Sequence, residues 1–193
     1  MKRINNQKGF TLVEIAIVMV IIGLLLGGVL KGQQMIANAR IKNLVNHAQG
    51  LQAAIYAYQD RYMALPGDDP KATTNLPGAS GGCLVGNLAN GNGDGYIYEY
   101  FRAAQDLACA GLITGTYNGT SDNILSPYGT VVYIYYQALQ GKTGNILRYD
   151  NLPADVAQAL DTELDDGVYN TGTIRASADY VAGTVIPSTA FFY

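Results

Sequence analysis

Glu14 is a carboxylate in a place where carboxylates are costly. It follows Gly9-Phe10-Thr11-Leu12-Val13 and opens an apolar run from Ile15 to Leu30 that only Gly23, Gly27 and Gly28 interrupt. At the centre of a membrane helix an acidic residue costs roughly 2.5–3.5 kcal/mol on insertion scales, and less toward the helix end. A residue kept at that cost is a functional candidate and needs a partner. A second constellation lies far downstream. Asn90-Gly91-Asn92-Gly93-Asp94-Gly95-Tyr96-Ile97 sets oxygen side chains at alternate positions, with glycine sixth and an apolar residue eighth. That is the pattern of an EF-hand-type calcium loop. Asn90, Asn92 and Asp94 would give side-chain oxygens, Tyr96 its carbonyl and Glu99 a carboxylate two positions early. Asn90 stands where aspartate is usual, and Phe101 holds the twelfth position. A turn rich in glycine and asparagine is the other reading of the same residues.

The remaining reactive side chains point away from catalysis. Asp161, Glu163, Asp165 and Asp166 gather at a helix end before Gly167; they invite a metal or catalytic reading, and read more simply as a solvated turn. His47 is the single histidine. It falls off the apolar seam described below and reads as a surface residue; with no further histidine for a triad, hydrolytic catalysis by Ser-His-Asp has little support. The expectation is a protein that is not an enzyme. A net charge of −3 gives no basic face for nucleic acid. Two cysteines, Cys83 and Cys109, read as one disulfide if they lie in an oxidising compartment, or as two buried thiols. No Cys-x-x-Cys or histidine cluster suggests zinc. Fifteen tyrosines, with Tyr96, Tyr98 and Tyr100 alternating and Tyr136 opposite Tyr133 and Tyr135, fit strand packing with hydroxyls at the rim, or an aromatic surface for sugars.

These groups need elements to position them. Lys2, Arg3 and Lys8 precede the apolar run and hold the N-terminus in the cytoplasm by the positive-inside rule, which puts everything after Leu30 outside. The 21 residues from Phe10 to Leu30 can cross a hydrocarbon core of about 30 Å. No Ala-x-Ala site follows, as a secretory signal peptide would require, and a helical pattern continues instead. Ala37, Ile41, Leu44, Ala48, Leu51, Ile55, Tyr58 and Tyr62 alternate steps of four and three, an apolar seam on one helix face. One helix is therefore expected from about Phe10 to Met63, ended by Leu65-Pro66-Gly67. Pro66, Pro70, Pro77 and the stretch from Gly78 to Gly82 make residues 65–96 a loop. A short helix follows over Glu99 to Leu112. Strands are expected over Thr130 to Leu139 and Gly144 to Tyr149, joined through Gln140-Gly141-Lys142-Thr143. A second short helix runs from Pro153 to Leu164, and final strands cover Thr171 to Tyr180 and Thr184 to Phe192. The fold class is α+β: a long N-terminal helix, membrane-spanning in its first half, packed on a small antiparallel sheet head with short helices.

Lys8-Gly9-Phe10-Thr11-Leu12-Val13-Glu14 and its apolar run resemble the N-terminus of type IV pilin-like proteins, the class of bacterial type IV pilins and type II secretion pseudopilins. Gly91-Asn92-Gly93-Asp94-Gly95, Ala110-Gly111-Leu112-Ile113 and Leu164-Asp165-Asp166-Gly167 resemble one group of them more loosely. The resemblance implies cleavage between Gly9 and Phe10 by a prepilin peptidase and N-methyltransferase, with methylation of the new Phe10 amine. It implies that Glu14 then faces the N-terminal amine of a neighbouring subunit, where a buried carboxylate keeps its charge. It divides the chain into a leader (1–9), a membrane and assembly segment (10–32), an exposed amphipathic helix segment (33–64) and a head (65–193). The implied partners are copies of itself, other pilin-like subunits and an inner-membrane assembly platform. The implied location is the bacterial inner membrane, then a periplasmic or extracellular filament. Many type IV pilins carry a helix-kinking proline early in this helix; here Lys31 stands near that place, and Gly23, Gly27, Gly28 and Gly32 are the helix-weakening residues. Some pseudopilins bind calcium, the one cofactor the sequence suggests. A pseudopilin or minor subunit of a secretion system, and a membrane-anchored binding module that never polymerises, are the other readings.

Overall fold

The computed structural model describes residues 9, 11–76, 83 and 87–193. Phe10, the basic leader and the Gly78 to Gly82 run lie outside the described residues. Helix α1 spans Leu12–Tyr62. The chain divides into two compact units, residues 1–39 and 40–193.

The first unit is the apolar part of α1. Its large side chains are exposed all round the helix, from Leu12 at 91% to Leu30 at 61%. An apolar helix with no buried stripe is built for a lipid or protein environment rather than water. Its length and composition suffice to cross a membrane.

The second unit starts with the rest of α1 and continues through α2 (Ala72–Asn75), α3 (Tyr100–Cys109), β1 (Ile124–Leu125), β2 (Val131–Leu139), β3 (Lys142–Pro153), α4 (Ala154–Leu164), β4 (Ile174–Ala176) and β5 (Val185–Phe192). The strands form one sheet in the order β1-β2-β3-β5-β4, antiparallel at every pairing. Leu44, Ala48, Leu51, Ile55 and Tyr58 of the seam are buried, joined by Val45 and Ala54. They share one core with Val132, Ile134, Leu147, Tyr149 and Phe191 of the sheet and with Leu107 and Leu160 of the short helices. Ala37, the first seam residue, is exposed and belongs to the other unit. The α+β architecture expected from the sequence is the one found.

Boundaries moved for local reasons. The β2–β3 turn closes on two residues, Gln140 and Gly141, both with positive φ, and Leu139 pairs with Lys142. That turn geometry matches strand twist, so Lys142 and Thr143 join the ladder and β3 begins earlier than expected. Helix α3 ends at Cys109 rather than Leu112. Leu112 N donates to Leu107 O at 2.9 Å and Gly111 N to Ala108 O at 3.0 Å, with Gly111 at φ +70°. This is the paired closure of a Schellman motif, which stops the helix. Strand β4 has three residues, not ten. Asp165 Oδ2 takes the N–H groups of Thr173 and Ile174, and Tyr169 O takes that of Ala176, so the outer edge of β4 is wrapped by its own loop. The two-residue β1 and one-turn α2 went unforeseen.

Candidate functional site

The site at the start of α1 is built from two residues three apart. Thr11 N and Thr11 Oγ1 both donate to Glu14 Oε2, at 2.8 and 2.9 Å. In return Glu14 N donates to Thr11 Oγ1 at 3.2 Å, and Thr11 O accepts from Ile15 N at 3.3 Å. This is a capping box: the residue before the first turn and the third residue of the helix satisfy each other's free backbone N–H groups. It fixes where the helix begins and turns the Glu14 carboxylate toward the N-terminal end. Glu14 Oε1 has no partner among the described residues, so one oxygen stays open to an incoming donor. Both residues are exposed, as is Gly9. Sequence reasoning singled out Glu14 and overlooked Thr11, although Thr-x-x-Glu before an apolar run is a legible capping signal. Phe10, named for cleavage and methylation, lies outside the described residues.

Cys83 and Cys109 form a disulfide, with Cα atoms 4.5 Å apart. It ties the long loop to the last residue of α3. Its ring of 26 residues restricts the unfolded chain by about 3 kcal/mol on the chain-entropy account.

The groups named for calcium are only partly brought together. Asn92 Nδ2 donates to Asp94 Oδ2 at 2.8 Å, and Asp94 Oδ1 accepts from Tyr96 N at 2.9 Å. Asn90 Oδ1 is turned to Thr73 N and Oγ1, both at 2.9 Å, and Glu99 lies 3.6 Å from Arg102. The loop instead folds its backbone around a carboxylate: Gly93 N and Gly95 N each donate at 2.7 Å to the two oxygens of Asp68. Asp94 N, between them, turns instead to Asn92 Oδ1 at 3.2 Å. Asp68 comes from the turn after α1, a partner that the spacing within the loop does not reveal.

Asp161, Asp165 and Asp166 do come together, with oxygens within 4.8 Å of one another. Each serves the turn around it. Asp161 Oδ2 accepts from Tyr180 Oη at 2.7 Å, Asp166 Oδ2 from Thr171 Oγ1 at 2.6 Å, and Asp165 binds the start of β4. Burial pushes the Asp161 carboxyl above its usual range, against the hydrogen bonds from Tyr180 and Gly167.

His47 is a correction. It is half-buried, and its Nδ1 lies 2.8 Å from Tyr149 Oη on β3. It also lines an open groove of about 510 Å³ with Leu112, Ile113 and Ile124. Burial lowers its pKa, which favours the neutral ring that can accept from the tyrosine. The seam was read too narrowly; α1 buries a wider arc here, including Val45. The tyrosines singled out from the sequence gather in two groups. Tyr96 and Tyr98 meet Tyr136, while Tyr100 meets Tyr133 and Tyr135. Arg148 sits 4.9 Å from both of the latter rings and pairs with Asp150 at 2.6 Å.

Residues 4–30 match the model of the prokaryotic N-terminal methylation motif. Comparison with curated proteins and with solved structures gave no match. The motif takes in the apolar run of the long N-terminal helix, and the two together support a type IV pilin-like protein. The apolar helix fits membrane anchoring.

Proposed function

We propose that this protein is a structural subunit of a type IV pilus-like filament. The observation that carries the reading is the methylation motif over residues 4–30, placed on a helix start whose capping box orients Glu14. The precursor waits in the inner membrane, held by its apolar helix with the leader in the cytoplasm. Cleavage after Gly9 removes Lys2, Arg3 and Lys8 and frees the Phe10 amine, which is then methylated. Thr11 keeps its peptide N–H after the cut, so the capping box survives processing and Glu14 Oε1 stays open. That oxygen accepts the charged amine of a neighbouring copy. A carboxylate and an amine that leave water together are far less costly than either alone. The exposed apolar half of α1 packs with copies of itself, and the head covers the outside.

The test is Glu14→Ala. Processing should remain, because the peptidase acts at Gly9 and Phe10, while filament yield should fall by an order of magnitude or more. Wild-type filament yield from this variant sinks the proposal.

A further inference from the structure

Three carboxylates are buried around the corner where the chain leaves α1 and meets α3. Asp68, Asp69 and Asp106 keep 3, 1 and 1% of their exposure. Five of their six oxygens accept a hydrogen bond. Asp68 holds Gly93 N and Gly95 N. Asp69 holds Lys71 N through Oδ1, and Tyr58 Oη and Asn75 Nδ2 through Oδ2. Asp106 Oδ2 accepts from Gly67 N at 2.7 Å. The sixth, Asp106 Oδ1, is buried with no hydrogen-bond partner among the described residues.

The groups facing Asp106 do not balance a negative charge. Tyr58, with Tyr62 beside it, comes from α1 and is uncharged; Asp69 comes from the turn and is acidic. On its own helix, Arg102 is drawn toward Glu99 at 3.6 Å and Asn90 O at 3.3 Å. A divalent cation needs several oxygens at once, and one is unengaged here. A proton needs one.

We propose that Asp106 is a proton-binding site buried where the turn after α1 meets α3, so that the folded head gains stability on acidification and loses it as the proton leaves. The packing there leaves no room for water beside the carboxyl: Gly67, at φ +86°, lies so near α3 that a Cβ there would meet Ala103 N at 3.0 Å. Burial, then the Asp69 charge, raises the Asp106 pKa to about 7, against the Gly67 N–H and Arg102. The folded value lies above the unfolded one of 3.8. The folded head therefore keeps a proton that the unfolded chain has lost between these values. Its contribution to stability is greatest at the acid end and shrinks as pH rises toward 7. The folding constant falls by up to about tenfold per pH unit in that window and levels off above it.

The experiment compares thermal midpoints of the full-length protein and Asp106→Asn in detergent micelles at pH 5 and pH 8. The amide keeps an acceptor for Gly67 N and cannot ionise. The variant should lose less stability than the wild type between the two pH values and should melt above it at pH 8. An equal loss in both proteins overturns the proposal. The side-chain carboxyl ¹³C resonance of Asp106 in the wild type gives a reading that needs no variant. A titration near pH 7 supports the site, and one near pH 4 overturns it.

Discussion

Thr11 and Glu14 divide the work at the head of α1 between them. Thr11 supplies the two donors that hold Oε2, and Glu14 Oε1 has no partner among the described residues. Thr11→Val removes the hydroxyl and breaks the reciprocal cap. It should fray the first turn, measured as faster amide exchange at Glu14 and Ile15, and lower filament yield less than Glu14→Ala does. Thr11→Ser should restore both. His47 gives a second prediction at this scale. Its folded pKa lies below the usual 6.5 because of burial, so the unfolded chain binds the extra proton first. The stability this residue supports is present above about pH 6.5 and is lost as pH falls through the depressed value. Thermal melts of His47→Gln at pH 5.5 and 7.5 should show a smaller acid loss than the wild type. The sequence displayed Glu14 because its cost is local to one apolar run. It could not display the His47–Tyr149 bond, whose partners are 102 residues apart. Nor could it show that Asp68 is the carboxylate at which the Asn90–Tyr96 loop aims its backbone, since that role is defined across the fold.

Among the elements, α3 is the most tightly specified. Its N-terminal turn carries Tyr100 against Tyr133 and Tyr135, its middle holds Leu107 in the core, and its end is fixed by Gly111 and the disulfide. Gly111→Ala would force an alanine into positive φ and should cost about 1 kcal/mol in chemical denaturation. Replacing both cysteines by serine should cost about 3 kcal/mol, since the ring of 26 residues would be released in the unfolded state. An unchanged denaturation midpoint in the serine variant would contradict that account. Periodicity made α1 legible, because its seam repeats a spacing over many residues, while Pro153 and Gly167 marked the limits of α4. The three-residue β4 and two-residue β1 are too short for alternation to register. Their limits come from hydrogen bonds to Asp165, Tyr169 and the Ser126–Thr130 turn.

Across the whole chain, two kinds of apolar surface do different jobs. The buried face of α1 stabilises the head: Ile55, with no exposure, contributes to a closed core, and Ile55→Ala should destabilise it by about 3 kcal/mol. The exposed apolar side chains of residues 12–30 stabilise nothing within their own unit. Changes there, such as Leu25→Ser, should leave the melting of the head unaltered while impairing membrane retention or filament yield. This separation is why the class was readable from the first thirty residues and the head was readable only in outline. Processing of the N-terminus underlies every step of filament assembly, and it is measured directly by mass spectrometry of the N-terminal peptide from sheared surface filaments and from the cell envelope. The predicted result is a chain beginning at N-methylated Phe10 in the sheared fraction. An intact leader through Gly9 in every fraction would contradict it.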